Sequence, residues 1–170
     1  MVIWIVGLSG AGKTTLANEV VSQVREKIQN IVLLDGDLIR EAFDNDLGYT
    51  LTDRKINAKR ICSLCKLLDD QGIHVVCAIL SLFPDSHSWN RSNLKKYYEV
   101  FIDASIDSLT ARDYKGIYRK FKNGDTANVA GLDIEFRKPI MPNLVIDGQI
   151  TRDELLLYAQ KISSTILDSN

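Results

Sequence analysis

Apolar residues fall along the chain in short, nearly unbroken runs separated by longer amphipathic stretches. The runs Val2–Val6, Ile31–Leu34, His74–Leu80, Glu99–Ile102 and Leu144–Ile146 are rich in β-branched or apolar side chains. Unbroken runs of this length predict strands covered on both faces, as in a parallel sheet. Between them, Lys13–Lys27, Asp53–Gln71, His87–Lys96, Ile106–Asp113 and Thr151–Leu167 predict helices. The last opens with Thr151-Arg152-Asp153-Glu154, a capping-box spacing. Alternation of this kind predicts an α/β, doubly wound parallel sheet with helices on both faces. One stretch breaks the pattern: Tyr114 to Pro142 mixes Lys, Arg, Gly and Asn with little period. A structureless segment that long is uncommon in a compact domain and often functional, so residues 114–142 read as a mobile lid. No repeat or linker interrupts the rest, and residues 1–170 read as one domain.

Composition adds exclusions. Twenty-one basic against twenty-two acidic residues give a formal net charge of -1, which argues against a nucleic-acid coat or a polybasic membrane binder. No apolar run approaches the ~20 residues of a membrane span. Met1 to Gly7 lacks a basic n-region and runs straight into a glycine turn, unlike a signal peptide. Three cysteines cannot close a disulfide framework, and a reducing cytoplasm fits them.

The sharpest local signal is Gly7-Leu8-Ser9-Gly10-Ala11-Gly12-Lys13-Thr14, followed by Thr15, which satisfies G-x-x-x-x-G-K-[ST] between a predicted strand and a predicted helix. Glycines there let backbone N–H groups turn inward around phosphate oxygens, and the new helix adds its positive end. Lys13 is placed to reach the β- and γ-phosphates of ATP, and the Thr14 hydroxyl to ligate Mg²⁺. The fold expectation sharpens accordingly to a P-loop NTPase-type sheet. The second strand runs into Asp35-Gly36-Asp37 with Arg40 beyond it, at the sheet edge where ligands of α/β folds sit. A carboxylate there can hold Mg²⁺ through water or take a proton from an attacking hydroxyl; Asp37 could also merely cap the next helix. Arg40 offers a fork for an acceptor phosphate. Further on, Arg54 and Asn57 share a face of the next helix, and Tyr49 precedes them. An anion-binding arginine, an amide and an aromatic plate together suit a small phosphorylated nucleotide. Each taken alone could equally be a surface or core residue.

In order and spacing, these motifs resemble adenylyl-sulfate (APS) kinase. The likeness extends through Asp46-Leu47-Gly48-Tyr49, Ala78-Ile79-Leu80-Ser81, Ala111-Arg112-Asp113-x-Lys115-Gly116-Ile117-Tyr118, and Gly131-Leu132-Asp133 ahead of Pro139. It covers the chain from Val2 to about Gly148. The resemblance implies transfer of the ATP γ-phosphoryl group to the ribose 3′-hydroxyl of a nucleotide carrying a mixed anhydride at its 5′ end. It casts Asp37 as the carboxylate beside that hydroxyl and Arg40, Arg54 and Asn57 as acceptor ligands, with Tyr49 at the position of a stacking phenylalanine. Ser81 matches a serine recorded in the family as a phosphoserine intermediate, although direct in-line transfer is physically simpler. Arg112 matches an arginine lying against the ATP adenine, and Lys115–Lys122, with Arg119 and Lys120, begins the lid. A homodimer is implied by the family alone.

Departures cluster in the base pocket. The family's Phe-Thr-Gly-Ile-Asp is Val129-Ala130-Gly131-Leu132-Asp133 here, so Val129 stands where the second aromatic plate is expected, a loss of order 1 kcal/mol or more in stacking. Leu82 replaces the usual proline after Ser81, and Ile56 an acidic residue before Asn57. Base choice therefore rests on Tyr49, Val129 and the surroundings of Leu80. Adenylyl sulfate is the first acceptor; a pyrimidine nucleotide such as cytidine diphosphoramidate, used in capsule biosynthesis, is the alternative. In another class stands a non-catalytic nucleotide-binding module. Cys62-Ser63-Leu64-Cys65 lies inside a predicted helix, away from the positive end that activates a thiol, and reads as buried and inert. His74 reads as a polar strand edge and Trp4 as core. Trp89 could be core or a wall of the acceptor pocket.

Overall fold

The computed structural model describes residues 1–169. Five parallel strands form one sheet in the order β2-β3-β1-β4-β5, where β1 is Val2–Val6, β2 Ile31–Asp35, β3 His74–Ile79, β4 Tyr97–Asp103 and β5 Leu144–Asp147. All five residues of β1, the central strand, are solvent-inaccessible, as a strand covered on both faces must be. Their side chains alternate between two cores. Ile3 and Ile5 join the core beneath α1 (Lys13–Arg25) and α7 (Arg152–Leu167), while Val2, Trp4 and Val6 join the one beneath α3 (Leu51–Asp70).

Helix ends follow local chemistry. The expected capping box closes: Thr151 Oγ1 accepts the Glu154 N–H and the Glu154 carboxylate accepts the Thr151 N–H. Helix α3 begins two residues before the expected Asp53, because the Thr50 hydroxyl accepts from the Asp53 amide and caps it. The expected His87–Lys96 helix is shifted to α4 (Pro84–Asn93). Proline pre-sets the first helical position, and Leu94 is extended and buried, so the chain turns early towards β4. Two helices were not legible as elements: α2 (Gly36–Ala42) and α6 (Ile117–Lys122). A further helix, α5, spans Ile106–Arg112.

Helix α6 corrects the expectation that residues 114–142 lack structure. Tyr118 is buried, as are Val129, Ala130 and Ile134 beyond the helix, and Ala130 bridges Ile134. Six residues bearing three cations are too few to show a helical period, so only packing reveals them. No described helix is long and apolar enough to cross a membrane.

Candidate active site

The carboxyl ends of β1, β2 and β3 open into a cavity of about 660 Å³, within the usual range for a small-molecule site. One side is the loop from β1 to α1. Gly7 has its α-carbon against the sheet, where an added Cβ would lie 2.9 Å from the Ile102 carbonyl. Gly10 and Gly12 hold φ values of 78° and 96°, open to glycine at no steric cost. Ser9 to Thr15 line the cavity; Gly7 and Leu8 support it from behind. Lys13 Nζ donates to the Leu8 carbonyl at 2.8 Å. Burial, and then the like charge of Lys115, lower its pKa to about 8, with Asp35 and Asp37 pulling the other way.

The Thr14 hydroxyl donates to Asp35 Oδ2 at 2.7 Å, and Asp35 Oδ1 accepts the Asp37 amide at 2.9 Å. Asp35, and not Asp37 as the sequence allowed, is thus the helix cap, and it is also the partner of the P-loop threonine. Two hard oxygen donors beside a phosphate cradle suit Mg²⁺, which takes one or two protein oxygens and completes its shell with phosphates and water. Among the described residues no cluster of three or more His, Cys, Asp or Glu could hold a metal alone.

Asp37 faces the cavity at the start of α2, exposed, and its carboxylate accepts from Lys115 Nζ at 2.7 Å. Arg40 is buried and donates to the carbonyls of Leu47 and Gly48 at 3.0 and 2.7 Å. Arg54 donates to the Tyr49 carbonyl at 2.9 Å and the Asn128 carbonyl at 2.7 Å. Their guanidinium carbons lie 4.7 and 5.3 Å from the Tyr49 ring centroid, within cation–π reach. Burial, followed by the charge of Arg40, lowers the Arg54 pKa. Asn57 is buried, with Oδ1 unpartnered.

Arg40, Tyr49, Arg54, Asn57, Leu80, Arg112, Lys120 and Val129 therefore line one cavity with the P-loop and Asp37, as the sequence grouped them. Ser81 is the exception. It is buried, its hydroxyl bonds His87 Nε2 at 2.9 Å, and it is absent from the lining. Lys115, by contrast, had been only one cation of the lid and now meets Asp37 across 78 positions of sequence. Trp89 belongs neither to the core nor to the pocket wall: it is 39% exposed and lies outside the lining. The cysteines are free and buried, and desolvation first pushes Cys62 up to about 12 and Cys77 well above an ordinary thiol. His74 heads β3, where the sequence places it, and is buried there.

Charge sums up what the cavity can do. Lys13, Arg40, Arg54, Arg112, Lys115 and Lys120 line it against only Asp35 and Asp37. Both acceptor-side arginines bond neutral carbonyls and, among the described residues, form no ion pair. Uncompensated cations around a P-loop bind polyphosphate.

Comparison with known proteins agrees. A sequence profile of the family described as Adenylylsulphate kinase matches residues 1–147. An adenylyl-sulfate kinase of Bacillus pumilus is 36% identical over 156 residues, covering 90% of this chain and 79% of its own. A cytidine diphosphoramidate kinase of Campylobacter jejuni is 39% identical over 141 residues, 81% of each chain. Among solved structures, the Mycobacterium tuberculosis APS kinase in complex with AMPPNP and APS superposes with a TM-score of 0.85 at 29% identity, covering 97% of this chain and 96% of that one.

Proposed function

Because the chain belongs to the adenylylsulphate kinase family and is a nucleotide kinase using ATP, we propose that its acceptor is a 5′-modified nucleotide, adenylyl sulfate first, phosphorylated on the ribose 3′-hydroxyl. The observation that carries this reading is the cavity lining: a P-loop with its Lys13 and Asp37 share it with five further cations. In the proposed reaction the 3′-oxygen forms a bond to the γ-phosphorus, the bond from that phosphorus to the β–γ bridging oxygen breaks, and the hydroxyl proton passes to Asp37. Lys13 and the P-loop amides hold the β- and γ-phosphates; Lys115 and Lys120 neutralise equatorial charge; Arg40 and Arg54 hold the acceptor's anhydride end. Thr14 directly, and Asp35 through water, would hold Mg²⁺, which supplies charge neutralisation between the phosphates. Lys115 must hand its bond with Asp37 to the nucleotides as they enter.

A second acceptor is favoured by one specific observation. Val129 is buried and aliphatic where the family resemblance expects an aromatic plate, which leaves Tyr49 as the plate beside the acceptor arginines. One plate suits a one-ring base, as in the cytidine diphosphoramidate acted on by the Campylobacter jejuni relative. The deciding measurement is kcat/KM for adenylyl sulfate and cytidine diphosphoramidate side by side with MgATP. A higher value for adenylyl sulfate upholds the first reading. A ~100-fold preference for the cytidine compound, about 2.7 kcal/mol in transition-state binding, replaces it. Val129→Phe is then expected to move preference towards adenine. ATP binding with no phosphorylation of either compound or of related nucleotides would leave a binding module.

A further inference from the structure

Away from the cavity lining, one carboxylate gathers a set of polar side chains that the proposed reaction does not use. Glu99, in β4, is inaccessible to solvent. Its Oε1 accepts from His87 Nδ1 at 3.0 Å; its Oε2 accepts from Arg91 and from the Tyr97 hydroxyl, each at 2.7 Å. The His87 ring thus spans two partners, with Nδ1 on the Glu99 carboxylate and Nε2 at 2.9 Å from the Ser81 hydroxyl. Burial alone would raise the Glu99 pKa, but the bonds from His87 and Tyr97 and the charges of His87 and Arg91 hold it below the usual carboxylate range. A buried network with its acceptors filled is stiff; one with a member missing leaves an uncompensated charge.

The two ends of this chain are what give it a function. At one end Ser81 directly follows Leu80, which lines the cavity where β3 stops. At the other, Arg91 also donates to the Met141 carbonyl at 2.8 Å, and Asn143 exchanges two backbone-directed bonds of 2.8 Å with Glu99. Residues 141–143 are where the 114–142 segment rejoins the sheet at β5. One buried carboxylate therefore ties the acceptor wall to the exit of the segment that covers it.

We propose that Ser81 and His87 are positioning residues of the acceptor subsite, holding the wall at Leu80 in register with the exit of the 114–142 segment through Glu99 and Arg91. This rests on the acceptor-side reading given above. Ser81 is buried and outside the cavity lining, with its hydroxyl bonded to the imidazole, which is the place of an anchor and not of an attacking group. His87 never meets the nucleotides.

The test uses the full chain with MgATP and the better of the two acceptors, after melting curves confirm folding. Ser81→Ala and His87→Ala are expected to raise KM for the acceptor about tenfold while KM for ATP stays within about twofold, with Ser81→Thr and His87→Gln recovering most of the loss. An unchanged acceptor KM in folded variants overturns the proposal. So does label from γ-³²P-ATP retained on denatured wild type and lost in Ser81→Ala, which would make the serine a phosphoryl carrier. Arg91→Gln, at a half-exposed side chain, gives a readout independent of turnover and of His87→Ala folding. It should speed proteolysis within residues 114–142, and unaltered cleavage counts against the link. If wild type phosphorylates neither acceptor, the proposed function fails, while this proteolysis result still decides the relay.

Discussion

Lys13 shows how far one residue's surroundings set its chemistry. Its ammonium is desolvated by the closed P-loop and repelled by Lys115, and both lower its pKa to about 8. Protonated lysine is the form that binds phosphate, and kcat/KM reports groups of the free enzyme. The lowered value means that the free enzyme loses its ammonium as pH climbs through about 8, two units or more before an ordinary lysine would. We therefore expect kcat/KM for ATP to fall along that limb. Lys115→Met removes the like charge and frees the Asp37 carboxylate, and both changes favour the ammonium. The limb should move to higher pH in that variant; a limb left in place or moved lower refutes the assignment. Among the residues of the site, the P-loop was legible because its whole mechanism is local, eight consecutive positions. Thr14 with Asp35, Lys115 with Asp37 and Arg54 with Asn128 join positions 21, 78 and 74 apart. Their identities could be suspected from the sequence, but their pairing is a product of the fold.

At the scale of elements, the turn from Asn128 to Ile134 carries Val129, the position on which the proposed base choice rests. The Asp133 carboxylate accepts the amides of Asn128 and Val129 at 2.7 and 2.6 Å, Asn128 takes a φ of 63°, and Arg54 holds its carbonyl. Gly131 lets the turn close. Its φ is 88°, and an added Cβ would stand 2.5 Å from Ile106 Cδ1 and 3.3 Å from both Leu8 methyls. Gly131→Ala should cost about 1–2 kcal/mol from the backbone conformation before any clash. In a chain of this size that lowers Tm by roughly 2–8 °C. A variant melting within about a degree of the parent would show that the turn yields freely. The strands were readable because burial on both faces leaves them almost wholly apolar; their ends were not. Tyr97 and Tyr98 extend β4 by pairing beside Val2 and Ile3, a gain that their polar hydroxyls hide. Residues 114–142 misled for the opposite reason. Their few buried side chains, Tyr118, Val129, Ala130 and Ile134, are scattered among charges and glycines without a period.

Over the whole molecule, residues 114–142 touch both halves of the site. The Tyr118 hydroxyl donates to the Ser9 carbonyl of the P-loop at 2.8 Å, while Lys115 and Asn128 meet Asp37 and Arg54 on the acceptor side. The segment carries six basic and three acidic residues in a chain whose formal net charge is -1, so its affinity for the body rises when phosphates fill the gap. A segment ordered by either nucleotide lowers the cost of ordering it for the other, which is positive coupling between the two sites. Coupling of binding free energies must be reciprocal. We expect a non-hydrolysable ATP analogue to tighten acceptor binding at least about fivefold, and the acceptor to tighten the analogue by the same factor. Calorimetric titrations of each ligand with and without the other measure both sides of the cycle. Trypsin cleavage after Arg119, Lys120 and Lys122 should slow most when both are bound. Additive binding, with each affinity untouched by the other ligand, would mean that the segment serves one nucleotide alone. The Lys115–Asp37 and Arg54–Asn128 contacts would then be resting positions and not parts of a closing device.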